Sequence, residues 1–145
     1  MRPTHNARVI SLTNAQALSR TGVRWSPQAG DRFTVRTEEM TGEVFTVADM
    51  VVEAREYRTG TLLAFNGTTE WALDSVQLEQ ALWLPREDQL RDLLGSSFRS
   101  LARSSTASYQ VLAEIPGGPE RLFTADDAAD AYAAAVLALV KAAQH

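Results

Sequence analysis

Between residues 31 and 66, apolar and polar positions alternate over short runs broken by turn residues, which is the pattern of half-buried strands. Asp31–Arg36 places Phe33 and Val35 on one face, and Glu43–Val47 sets Val44 opposite Phe45. Asp49–Arg58 carries β-branched residues, and Leu62–Phe65 is a short, mostly apolar run ending at Asn66-Gly67. The links between these runs, Arg58-Thr59-Gly60-Thr61 among them, are too short for the dozen-residue crossover a parallel pair needs. A mainly antiparallel β-meander is therefore expected over 31–66. Ahead of it, Ser11 or Thr13 can cap a short helix through about Arg20, closed by Gly22, and Ser26–Asp31 reads as a turn. Residues 1–10 show no periodicity and are expected to form a flexible tail.

Beyond Thr68 the period lengthens. Trp71, Ser75, Leu78 and Leu82 fall on one stripe at helical spacing, which predicts a helix at about 70–82 that stops before Pro85. Leu90, Leu93, Leu94, Phe98 and Leu101 predict a second helix at 86–102, with Glu87 and Asp88 in its first turn and Arg99 and Arg103 in its last. Alternation of Tyr109, Val111, Ala113 and Ile115, then Pro116-Gly117-Gly118-Pro119, predicts a hairpin over 108–123. Thr124 followed by Asp126 and Asp127 is the start signal of a closing helix at 124–142. Its bulky residues Tyr132, Val136, Leu137, Leu139 and Val140 are expected to form the core face, with alanines, Asp130 and Lys141 behind. The expected fold class is thus α+β: a single domain spanning 1–145, with the meander followed by a C-terminal helix-helix-hairpin-helix array.

Composition narrows the chemistry. Cysteine is absent, which removes disulfides, a thiolate nucleophile and sulfur-ligated zinc. The two histidines, His5 and His145, sit within five residues of the chain ends, so an imidazole held rigidly in a pocket is not expected. Neither G-x-x-x-x-G-K-[ST] nor G-x-G-x-x-G occurs, and no phosphate cradle, cofactor or metal site is expected. There is no apolar leader and no run of about 20 apolar residues, so a cytoplasmic protein without a membrane span is expected. In that compartment Asn66-Gly67-Thr68, which fits the glycosylation pattern, reads as a turn.

The net charge of −4 is unevenly placed. Residues 1–36 hold six arginines (Arg2, Arg8, Arg20, Arg24, Arg32 and Arg36) against the single acid Asp31, a balance of +5, while 37–145 balance at −9. Such a segment either docks on its own acidic body or reaches for an acidic partner; nucleic acid is a weak third reading because the whole chain is acidic. Candidate binding residues cluster at Asn66, Thr68, Thr69, Glu70, Trp71 and Asp74, where a strand end meets the expected helix start. Free amides, two hydroxyls and an indole there can form a small polar pocket, although the same residues suit an ordinary helix cap with a core tryptophan. Glu70 and Asp74, four apart, would share a helix face, where a carboxylate pair can bind a cation or divide acid and base roles if Asp49, Glu53 or Glu56 joins them. Of three tryptophans, Trp71 and Trp83 bracket the expected helix and read first as core, whereas Trp25, between the short helix and the Pro27 turn with little apolar company, is left open between core and partner surface. The alanine-rich back of the last helix offers a homodimer contact.

The segments G-D-R-F (30–33), E-V-F-T-V (43–47), F-N-G-T-T-E-W-A-L-D-S-V (65–76) and W-L-P-R-E-D-Q-L-R-D-L-L-G (83–95) resemble a family of short uncharacterised bacterial proteins from actinobacteria and Deinococcus-type organisms. Some members carry the label "pilus assembly protein", which derives from a much longer ATPase with a phosphate loop that this chain lacks. The resemblance covers about residues 14–140 and implies an intracellular bacterial protein, with no catalytic residue to carry over. The reading that follows is a non-enzymatic binding or protein-interaction module. A small-molecule or metal-assisted enzyme built on Glu70 and Asp74 is the alternative.

Overall fold

The computed structural model describes residues 9–36, 44–47, 51–57, 60–65, 75–77 and 80–144. The fold is mixed α+β, with antiparallel strands throughout and a C-terminal helix. Its contacts divide into two compact units, Arg24–Leu84 and Arg8–Val23 with Pro85–His145.

The first unit holds strands β1 (Arg32–Val35), β2 (Phe45–Thr46), β3 (Val51–Tyr57), β4 (Gly60–Phe65), β5 (Ser75–Gln77) and β6 (Ala81–Leu84). They form two antiparallel sheets, ordered β2-β1-β6 and β3-β4-β5. The expected meander is split between them: β1 pairs with β2 in the first, and β3 with β4 in the second, where Tyr57 pairs with Gly60 across the hairpin. The first sheet departs from it: β1 is flanked by β2 and by β6, a strand where the tail of a helix at 70–82 was expected. Residues 75–77 are likewise strand, paired with β4, so the described part of that segment is extended.

The physical reason lies in Ala81-Leu82-Trp83-Leu84. Ala81, Leu82 and Leu84 are all buried, so this continuous apolar run is covered on both faces, which one helical stripe through Leu82 would not achieve. Pro85 also holds Leu84 out of the α region. Opposite β6, Phe33 lies fully buried between Trp25 (ring centroids 5.6 Å) and Phe45 (5.8 Å). Buried Asp31 fixes that corner: its Oδ2 accepts from Trp25 Nε1 and from the Gln28 amide, each at 2.9 Å. Trp25 is thereby assigned to the core.

In the second unit, helix α1 (Leu12–Ser19) begins where its cap was expected, with Ser11 Oγ accepting from the Asn14 amide at 3.2 Å. Beyond its C-cap, Arg20, Gly22 takes φ +92°. Asp130 Oδ1 accepts from the Ser11 amide (2.8 Å) and from Asn14 Nδ2 (2.9 Å), tying the start of α1 to the C-terminal helix.

Helix α2 (Glu87–Leu94) stops eight residues short of its expected end. Gly95 turns to φ +54°, a 3-10 turn spans Gly95–Ser97, and Phe98–Arg103 is strand β7. The helix-like spacing of Phe98 and Leu101 has a specific cause. Phe98 pairs with Ala113 and Leu101 with Val111, so three steps on β7 span two on its neighbour; the extra residue is a β-bulge that returns both apolar side chains to one face.

Strands β8 (Tyr109–Glu114) and β9 (Glu120–Ala125) form the expected hairpin, extended to Ala125 and completing the sheet β7-β8-β9. Thr124 is consequently in β9 opposite Gln110, and the N-cap of helix α3 (Ala128–Ala143) is Asp127. The expected core face of α3 is also corrected. Ala128, Ala129, Ala131, Ala133 and Ala135 are buried with Tyr132 and Val136, whereas Leu137, Leu139 and Val140 are half-buried. Small side chains let α3 approach β8, β9 and the other two helices, so the alanine face is used inside the protomer and is not an open dimer contact.

Candidate functional site

The sheet β7-β8-β9 has one covered and one open face. Strand alternation sends Val111, Ala113 and Phe123 toward α3, all of them buried. The neighbours between them, Gln110, Leu112 and Glu114 on β8 and Glu120, Leu122 and Thr124 on β9, take the other face, joined by Ser100 and Ala102 from β7. At its centre Leu112 pairs with Leu122, and Leu122 is 60% exposed, the most exposed large apolar side chain among the described residues.

Polar groups rim this apolar centre. At the hairpin end Glu114 and Glu120 lie directly opposite each other, an unfavourable like-charge pair. Arg99, the residue between Phe98 and Ser100 at the bulge, answers both: its Nη2 pairs with Glu114 Oε2 and its Nε lies 3.6 Å from Glu120 Oε1. Arg99 Nη1 also donates to the Phe98 carbonyl at 3.2 Å, which pins the guanidinium over the rim. At the other end lie Ala102, Gln110 and Thr124, beside the Ser104–Ser108 turn. There Ser104 Oγ meets Thr106 Oγ1 and Ser108 Oγ at 2.8 Å each, and Ala107 is held at φ +65°. These hydroxyls satisfy one another and the turn's own amides.

The binding residues expected from the sequence, Asn66, Thr68, Thr69, Glu70, Trp71 and Asp74, lie outside the described residues, as does Asp49. Glu53 and Glu56 fall in β3, with Glu53 opposite Ala64 and Glu56 opposite Thr61. Among the described residues, no group of three or more acidic or histidine side chains is gathered as a metal site requires. Nor is any helix there long and apolar enough to cross a membrane. The arginines of the N-terminal segment are divided: Arg20 follows α1 in the second unit, while Arg24, Arg32 and Arg36 belong to the first.

Two perturbed groups sit away from the open face. Burial pushes the Tyr132 phenol above its ordinary range, where its ring stacks on Phe98 at 5.7 Å and the Arg91 guanidinium lies over the Phe98 ring at 4.4 Å. Asp88 is held below the usual carboxylate range, chiefly by its hydrogen bond from Arg86. Both have structural explanations in the packing and start of α2. No protein family, curated protein or solved structure matches the chain.

Leu112 and Leu122 were missed in the sequence because the hairpin was read only for its inward set. The signal was present. Leu122-Phe123 are adjacent in one strand, so a sheet with a single covered face must turn one of them outward.

Proposed function

We propose that the protein is a non-enzymatic interaction module whose contact surface is the open face of β7-β8-β9. The observation that carries this reading is Leu122, 60% exposed beside Leu112 on a sheet whose opposite face buries Val111, Ala113 and Phe123. Leaving Leu122 largely in water forgoes part of the ~1.5–3 kcal/mol that full burial of such a side chain returns, and contact with another protein recovers it. The rim of Arg99, Glu114 and Glu120 supplies the polar border typical of such patches.

The test places a photoreactive amino acid at position 122 and, as control, at exposed Ser96. The protein captured at 122 is purified and its affinity measured for the wild-type chain and for Leu122→Asp. The expected result is a discrete adduct at 122 only and an affinity loss of about tenfold or more in the variant. Equal capture at both positions, or an unchanged affinity, overturns the proposal.

A further inference from the structure

Resting on that reading of Leu122 as a contact residue, we propose that a second copy of this chain joins it edge to edge through β9, in an antiparallel two-fold pairing centred on Leu122 that packs Leu122 against its symmetry mate at the border of the open face. The two edges of the sheet differ in how they are defended. Edge strands that stay single carry bulges and charges that repel a further strand. Strand β7 has both: the bulge between Phe98 and Ser100, and Arg99 and Arg103 toward its two ends. A two-fold pairing of β7 centred on Leu101 would set Arg99 against the second copy's Arg103, like charge against like. Strand β9 keeps one-to-one register along its whole length, and its last four residues, Leu122-Phe123-Thr124-Ala125, carry no charge.

The pairing centred on Leu122 is self-complementary. It sets Glu120 opposite the second copy's Thr124 and Arg121 opposite its Phe123, with no like charges facing. Arg121 already lies over its own Phe123 ring at 4.9 Å, so that neighbourhood accepts a guanidinium. Leu122 meets its own symmetry mate, and the outer face acquires an unbroken row running Leu112, Leu122, Leu122, Leu112 across the axis. The product is a continuous six-stranded sheet with an isologous interface. A contact of one short strand per chain is small, below the ~1,200 Å² of standard interfaces, so a dissociation constant of about 10–100 μM is expected.

The absence of cysteine makes the test clean. Leu122→Cys and Ala102→Cys are each treated with a short bismaleimide at about 200 μM protein, a concentration above the expected dissociation constant. Ala102 lies on the same face but at the guarded edge. Circular dichroism of both variants confirms the fold. Covalent dimer of twice the 15.9 kDa chain mass is expected for Leu122→Cys, at least fivefold above Ala102→Cys. Equal yields overturn the edge pairing, as does monomer alone at position 122. If position 122 yields only monomer while a different captured protein loses affinity with Leu122→Asp, the dimer is refuted and the interaction surface stands. If neither readout depends on Leu122, both are refuted.

Discussion

Removing Arg99 tests whether one cation holds the hairpin end of the sheet together. Glu114 and Glu120 face each other across β8 and β9, each about half-exposed, and Arg99 reaches both. Two carboxylates roughly 6 Å apart in a water-like medium repel by about 0.7 kcal/mol. Each exposed pair with Arg99 returns about 0.2–1 kcal/mol. Arg99→Ala removes both pairs and leaves the repulsion unanswered, so it should cost the sum of the two pairs, about 0.4–2 kcal/mol, a fall in melting temperature of roughly 1–8 °C. Glu120→Gln alone gives up one attraction and the repulsion together and should stay within about 0.5 kcal/mol of wild type. With Glu120 already neutral, Arg99 has only its Glu114 pair left to lose, so Arg99→Ala should cost only about half as much in that background. The assay is a double-mutant cycle by urea denaturation followed by far-ultraviolet circular dichroism, repeated in about 0.5 M salt, where the coupling should shrink. The reasoning is refuted if Arg99→Ala is neutral, or if Glu120→Gln is the more damaging change.

Three further outcomes follow from the packing. Ala107 sits at φ +65°, where a Cβ costs about 1–2 kcal/mol and the added freedom of an unfolded glycine offsets part of the relief, so Ala107→Gly should raise the unfolding free energy measured in urea by a net ~0.5 kcal/mol; a loss of stability would contradict the turn geometry. Ala135 is fully buried on the packed face of α3, so Ala135→Leu should destabilise by about 1–3 kcal/mol, whereas Leu139→Ala on the half-buried side should cost less; the reverse order in thermal melts would restore the bulky face as the core. Tyr132 has a folded-state pKa raised by burial, so its contribution is fully present below about pH 10 and is lost as pH rises through the higher folded value. Tyr132→Phe should therefore flatten the alkaline decline in stability, and an unchanged slope would place the phenol in water.

Local chemistry was legible where it acted through neighbours in sequence. The Ser11 cap, the Gly22 stop, and the Pro116–Pro119 turn between β8 and β9 follow from side chains within a few residues. Misreadings arose where long-range pairing decided the outcome. The bulge at Arg99 makes a strand imitate helical spacing, and the doubly buried Ala81–Leu84 run has no period to distinguish it from helix. In α3 the alanines are innermost because close approach of the helix selects small side chains, a selection visible only once the sheet beneath is known. The open face was half legible: alternation in β9 implies an outward Leu122, but its pairing with Leu112 emerges only from the hairpin register.

Sedimentation velocity of the wild type and Leu122→Asp, from about 5 to 500 μM, tests the role of the open face most directly, because the range brackets the affinity expected of a one-strand contact. The wild type should shift from a 15.9 kDa monomer toward a dimer as concentration rises, while Leu122→Asp stays monomeric throughout. A wild type that remains monomeric at the highest concentration, or a variant that associates equally well, would contradict self-association through Leu122.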